Sequence, residues 1–275
     1  MNATTAATAG RIGSLHRYPV KSLLGETAAA LDLDQHGVVG DRALALIDRI
    51  TGKVATAKQP RWWRSLLSCQ AMTTDDGVVV RLPDGPWRNA DTVDDVLSQL
   101  LGRQVAMSDR RSAGATVERP DPELVLSQGL DADIEPAELE IAPDTPGGRF
   151  VDHSPLHLIT TATLDEIGVE ALRYRPNIVM TTPDGCPPFV ENTWIGRTLR
   201  IGTALLQATL PTPRCSVPTL EHGDRGREPR ALRVPADRNR VEVTGFGVLP
   251  CAGLYATVIE AGTIREGDEI DILAP

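Results

Sequence analysis

The sequence predicts a β-rich α+β protein of two domains. Three observations carry this: a length of 275 residues, short apolar runs punctuated by Gly, Pro and Asp, and only two segments with helical periodicity. Ala28 to Leu33 alternates in polarity and runs into QHGVVGDR (Gln35 to Arg42), and Ala43 to Ile47 is a compact apolar run ending at the turn Asp48 to Gly52. Asp75-Asp76-Gly77 is a turn signal, followed by the buried-strand run Val78-Val79-Val80 and a second turn at Pro83-Asp84-Gly85-Pro86. A first helix is expected through Val93, Val96, Leu97, Leu100 and Leu101, capped from Asp91-Thr92 and closed by Gly102. Arg110 to Gly148, rich in Pro, Gly and acids, has the composition of a long surface connection and holds the boundary between domains of residues 9–125 and 126–275. Thr163-Leu164-Asp165-Glu166 is a capping-box pattern for a second helix, kept short by Gly168. Val241 to Val243, Leu254 to Ile259 and Glu269 to Leu273 close the chain as strands.

Composition narrows the function classes. Hydrophobic residues at 41% and charged residues at 24% exclude a largely disordered chain, and 4% aromatics imply an aliphatic core. A net charge of -9 is a poor footprint for nucleic acid, so no nucleic-acid partner is expected and cationic work must fall to a local cluster. The start MNATTAATAG has neither a basic segment nor an apolar run, and no stretch reaches the roughly 18 apolar residues of a membrane span. A cytoplasmic protein is therefore expected. Cys69, Cys186, Cys215 and Cys251 form no C-x-x-C pair, which argues against structural zinc or a cysteine-held iron–sulfur cluster and for free thiols.

Of these thiols Cys215, in PTPRCSVPTL (Pro211 to Leu220), has the most chemical setting. Pro213 and Pro218 forbid a regular helix and display it on a stiff loop, and the guanidinium of Arg214 beside it favours thiolate; such surroundings bring a cysteine from about 8.5 into roughly the 3.5 to 7.5 range. The plainer alternative is a small buried hydrophobe next to a surface arginine. Cys69 has a core setting, and Cys186 and Cys251 that of packing or pocket-wall residues. Three basic clusters lie on proline- or glycine-constrained segments: Arg17, Lys21 and Ser22 in RYPVKS, Arg42 in GDR, and Arg173, Arg175 and Asn177 in RYRPN. Fixed positive charge with hydrogen-bond donors is what a phosphate needs, although each cluster alone could be a solvated loop. No GxxxxGK[ST] or GxGxxG occurs. His153 and His157 stand four apart, but Ser154-Pro155 between them opposes the helix that would aim both at a metal. Trp62-Trp63 suits an interior or interface role, and Glu191 and Trp194 suit structural anchoring.

Together these segments resemble the MOSC family, named for the C-terminal domain of molybdenum-cofactor sulfurase, in the form with an N-terminal β-barrel partner. The resemblance runs from about Arg11 to Leu273, through YPVKSLLGE (Tyr18 to Glu26), GDRALALID (Gly40 to Asp48), TAKQPR (Thr56 to Arg61), FVDHSPLHLITTATL (Phe150 to Leu164), RYRPNIV (Arg173 to Val179), ENTWIGRTLRIG (Glu191 to Gly202), PRCSVPT (Pro213 to Thr219) and GTIREGDEI (Gly262 to Ile270). Their order and spacing make the match specific.

The resemblance implies an N-terminal β-barrel domain packed on a barrel-like MOSC domain with few short helices, and a cofactor cleft between them. It implies the molybdopterin form of the molybdenum cofactor, as in the amidoxime-reducing members, with Cys215 as the protein ligand to the metal; a thiolate is a soft ligand suited to that role. By motif, Lys21, Ser22, Arg42, Ser154, Arg175, Asn177 and Arg214 would bind the cofactor. The implied activity is reduction of N-oxygenated small molecules such as hydroxylamines and amidoximes. No ferredoxin, flavin or haem motif is present, so electrons would come from a separate electron-transfer protein. The alternatives are a sulfur carrier or transferase using a Cys215 persulfide, and a cofactor carrier without turnover. Departures from the amidoxime-reducing pattern are Pro187 after Cys186 where those members have Asp, Asn192 after Glu191 where they have Asp, His153 where they have Thr, and the segment Gly245 to Gly253.

Overall fold

The computed structural model describes residues 7–142 and 148–274. Its centre is a closed barrel of seven strands: β1 (Ala7–Arg17), β2 (Leu156–Thr160), β3 (Ile178–Thr181), β4 (Thr198–Ile201), β5 (Ala204–Pro213), β6 (Gly247–Glu260) and β7 (Glu269–Ile272). Around it the order is β2-β3-β1-β7-β4-β5-β6, and pairing of Leu156 to Leu158 with Leu254 to Ala256 returns β6 to β2. Only β2 and β3 run parallel; the other neighbours are antiparallel. The interior is aliphatic, with Leu15, Leu158, Ile178, Ile201, Leu254 and Ile270 each fully buried.

The first strand shows how the sequence sets register. Ile12 and Leu15 are three apart and would face opposite sides of a regular strand. The register against β3 shifts between Ile12 and Ser14, and this bulge turns both side chains into the core. Glycine is required there: a Cβ on Gly13 would stand 2.4 Å from Thr181 Oγ1, and one on Gly10 2.3 Å from the Thr181 carbonyl oxygen. The β1 strand, from the front of the chain, thus lies inside the barrel built by residues 156–272.

The parallel connection from β2 to β3 carries the helix Thr161–Ile167, which Gly168 ends in the left-handed conformation. Its cap is Thr160 rather than Thr163: the Thr160 hydroxyl accepts from Thr163 N at 3.2 Å, leaving Thr163 inside the first turn. The capping-box spacing is displaced because the Thr163 and Thr160 hydroxyls both donate to the buried carboxylate of Glu191 at 2.9 Å. Glu191 also accepts from Gly253 N at 3.1 Å, and burial pushes its pKa up against those donors. It ties β2, the helix and β6 together.

The first half packs a second core, with Leu23, Leu46, Leu66 and Leu97 fully buried, under a three-stranded sheet of Gln70–Thr74, Gly77–Arg81 and Trp87–Asn89 and the pair Ala45–Asp48 with Val105–Ser108. The helix here begins at Asp94, with Val93 rather than Thr92 at the cap position; Ala90–Thr92 is a tight 3-10 turn in which the Thr92 hydroxyl donates to the Asn89 carbonyl. Gly102 ends it at φ 62° as expected. The segment expected as a surface connection is folded instead. Thr116–Arg119 pairs with Ala137–Glu140, and Asp121 caps the helix Pro122–Gln128 by accepting from Glu123 N and Leu124 N. Asp-Pro there is a helix start, cap plus first-turn proline, rather than a loop signal. Val117 and Ile141 pack against Phe150, and residues 143–147 of this segment lie outside the described residues. Among the described residues no helix is long and apolar enough to cross a membrane.

Replacing Glu191 with Ala strands three buried donors and opens a void. The expected loss is about 2 to 4 kcal/mol of stability by urea unfolding, with Glu191→Gln losing less because its amide oxygen can still accept.

Candidate functional site

A cavity of about 470 Å³ opens where the two halves meet, within the usual size of a small-molecule site. Lys21, Ser22, Arg42 and Lys58 reach it from the first half, Val117, Arg119 and Leu139 from the hairpin, and Asp152, Ser154, Arg175, Asn177, Arg214, Cys215 and Tyr255 from the barrel side. Among the described residues, seven basic side chains line it against two acidic ones, Glu140 and Asp152. An acidic protein thus concentrates positive charge in one enclosed place.

The cations are held by the opposite half of the chain. Lys21 Nζ donates to the Phe150 carbonyl at 2.9 Å and to Asp152 Oδ1 at 2.5 Å; Lys58 reaches the same oxygen at 3.0 Å. Arg42 donates to the Arg175 carbonyl at 3.1 Å and to Asp41, and lies 4.9 Å from the Tyr18 ring centroid. Arg175 donates to the Leu23 carbonyl with one nitrogen, while its other terminal nitrogen is buried without a partner among the described residues. Asn177 takes the Arg42 and His157 N–H groups on its amide oxygen and donates to the His16 carbonyl. Arg214 donates to the Thr212 carbonyl at 3.1 Å, meets His157 Nε2 at 3.0 Å and stacks on Tyr174.

Burial and crowding set the charge states. Burial, with the neighbouring Lys58 and Arg42, brings Lys21 down to about 8 against the pull of Asp152. Burial and Arg42 lower Arg175 to about 10. The Asp152 carboxyl is pushed up by burial but held far below the ordinary carboxylate range by Lys21 and Lys58 together. Burial, then Arg214 and Arg42, keep His157 neutral, so its Nε2 accepts from Arg214. Ser22, Arg42 and Arg175 have φ of 65°, 45° and 54°, in the left-handed region that side chains avoid. The surrounding bonds must hold these three against that preference, a concentration of backbone strain typical of ligand sites.

Residues 9–111 match the model of the MOSC N-terminal beta barrel domain, and residues 148–271 that of the MOSC domain. The chain belongs to the MOSC family. Mitochondrial amidoxime-reducing component 1 of Mus musculus is 28% identical over 134 residues, which cover 45% of this chain and 38% of that protein. The chain therefore spans well under half of that relative in the match. Among solved structures, the YuaD protein from Bacillus subtilis aligns over 98% of each chain at 11% identity and a TM-score of 0.43. YiiM from Geobacillus stearothermophilus covers 44% of this chain and 55% of its own, at 16% identity and a TM-score of 0.29.

In this MOSC chain, Lys21, Ser22, Arg42, Ser154, Arg175, Asn177, Arg214 and Cys215 all line one cavity, although the first and the last stand 194 positions apart in sequence. Ser22 Oγ accepts from Ala57 N at 3.1 Å, and Ser154 Oγ lies 2.9 Å from His153 Nδ1. Cys215 is a free, half-buried thiol packed beside Ala57, Leu67, Val217 and Leu220. Sequence inspection did not single out Asp152, Lys58 and Tyr255. The first two stand inside segments that carry the resemblance, FVDHSP and TAKQPR, whereas Tyr255 gave no local signal. Cys186 is not among the residues lining the cavity, while Cys69 and Cys251 are fully buried.

A phosphate monoester offered to the protein is expected to bind most tightly below pH 8. Lys21 carries its proton there and loses it above, so affinity should fall by up to about tenfold per pH unit as pH rises past 8. Titration calorimetry at pH 7, 8 and 9 measures this, and Lys21→Arg should flatten the profile.

Proposed function

We propose that the cavity binds the molybdopterin form of the molybdenum cofactor and that the protein reduces N-oxygenated small molecules, such as hydroxylamines and amidoximes, with electrons from a separate protein. The observation that carries this is the joining, in one cavity, of a free thiol on a proline-stiffened loop with a buried cationic cluster. A sulfur carrier needs the thiol but not the cluster. An anionic pterin with a thiolate-ligated metal needs both.

The residues fit such a group. The unpartnered Arg175 nitrogen and the Lys21, Lys58 and Arg42 cations supply charge-assisted donors for a phosphate, and Asn177 braces Arg42. Ser22 Oγ still has its proton to donate, since its recorded bond is as an acceptor from Ala57 N. Cys215 would hold the metal through Sγ. The bound cofactor supplies two-electron reduction with removal of an oxygen atom from the substrate. Arg214, next to Cys215, is fixed by His157 and Tyr174, and Val217 and Pro218 line the cavity with the thiol. The match to the mouse amidoxime-reducing component supports the substrate class, and the acidic remainder of the surface suits docking of a positively faced electron donor.

Expressed in a host that makes the cofactor, the wild type should carry molybdenum and pterin near one per chain. Cys215→Ala should lose the metal or change its coordination, and Arg175→Ala should lose most of the pterin; amidoxime turnover with an artificial donor should vanish in both. Wild type free of metal and pterin would overturn the proposal and turn attention to a persulfide on Cys215.

A further inference from the structure

The stretch between the two family domains carries an arm that is pinned to both halves of the protein. Its root is the hairpin of Thr116–Arg119 with Ala137–Glu140, which is seated firmly: Val117 and Ile141 are fully buried with Phe150. Beyond the root, residues 121–136 form the helix Pro122–Gln128 and the loop after it. The helix ends at Gly129, whose φ of 102° and ψ of 166° suit glycine alone, and Leu130 follows at once. Leu130 and Cys215 pack against the same apolar cluster, made of Ala57 and Leu67 from the first half and Val217 and Leu220 from the barrel side.

Charge at the surface does much of the holding. The arm has five acids and no base. Glu123 pairs with Arg240 on the barrel side, and on the first half Asp131 pairs with Arg64 at 2.7 Å and Asp133 with Arg61. The Asp131 and Asp133 side chains are 78% and 90% exposed, so water and salt reach both pairs. Burial adds less. Of the arm's apolar residues Val125 alone is fully buried, and its helix meets the helix Arg230–Arg238 across an open cleft of about 280 Å³, with Leu126 on one wall and Leu232 and Ala236 on the other. Lys21 and Arg175, whose bonds join the two halves, are by contrast buried and feel salt far less. Exposed ion pairs are each worth little and fade as salt rises, so the arm is the part of this site that salt can loosen.

We infer that residues 121–136 are a salt-released gate at the Cys215 side of the cavity. Closed, the ion pairs of the arm bridge the two halves, and Leu130 completes the apolar cluster that the thiol shares. Open, the arm swings on its fixed hairpin root, withdraws Leu130 and uncovers the cluster. The thiol then becomes accessible without separation of the halves or unfolding of the barrel. The gate needs no bound cofactor and is independent of the reductase reading. Two exposed pairs acting together shift such an equilibrium by about threefold to tenfold.

The test is the rate at which N-ethylmaleimide, an uncharged reagent, labels Cys215 in the full chain made by cells that lack the pterin. Labelling is read by mass spectrometry of the Cys215 peptide at about 20 mM and about 500 mM NaCl, which span long and short screening lengths. Wild type should label about threefold to tenfold faster at the higher salt. Asp131→Asn/Asp133→Asn, two changes at exposed positions that leave the core untouched, should label fast at both. Screening of the cationic lining works the other way, because it weakens the field that favours thiolate, so acceleration by salt reports the arm. Amide hydrogen exchange on the same samples should quicken with salt across residues 123–136 and stay unchanged at Val117 and Leu139 in the root. A wild-type labelling rate that is flat or falls with salt, a double variant as slow as wild type at low salt, or exchange that rises equally in arm and root would overturn the inference. A protein that never takes up metal or pterin would lose the proposed function and still show this gate.

Discussion

The two halves of this protein are fastened by buried cations that donate to each other's backbone. Lys21 reaches the Phe150 carbonyl, Arg42 the Arg175 carbonyl, and Arg175 the Leu23 carbonyl, so each guanidinium or ammonium group satisfies an acceptor in the part of the chain it does not come from. A charge taken from water is costly unless it is fully bonded, and carbonyl oxygens at a domain junction supply that bonding without neutralising the charge. The positive field survives and remains available to an anion. Asp41 and Asp152 hold the cluster below the level at which mutual repulsion would expel it, yet they are too few to cancel it.

This arrangement makes the junction and the site one object. The same hydrogen bonds that seat the first half on the barrel also fix the side chains of Lys21, Arg42 and Arg175, and Ser22, Arg42 and Arg175 all have left-handed backbone. Asn177 shows the economy of the design: its side chain bonds to Arg42, to His157 N and to the His16 carbonyl, so a single amide touches the cation cluster, β1 and β2.

The sequence was informative where chemistry is local and silent where it is not. Turn residues and apolar runs are local, and the β-rich class followed from them. Proline-stiffened basic segments are local too, and Lys21, Arg42, Arg175 and Cys215 were singled out, but only family resemblance gave them a common ligand. Their meeting in one cavity depends on pairing between distant strands, which no residue's neighbours reveal. The Thr160 cap was missed because its alternative, Thr163, fits the same pattern, and a buried Glu191 decides between them. The folded stretch after Arg110 was missed because proline, glycine and acid mark both loops and helix starts. Tyr255 was missed because an aromatic on a strand is ordinary until a histidine stacks on it.

The placement of β1 bears on how the protein is made. Its Arg11 pairs with Thr181 on β3 and with Glu269 on β7, so β1 waits for partners that lie 170 and 258 positions further along the chain. The first half can bury its own leucines early and pair the end of β1 with Glu26–Ala28, but the rest of β1 stays unpaired until those later strands are made. The cavity is therefore completed only once the chain through β6 exists, and whatever is to occupy it meets both folded halves rather than the first alone.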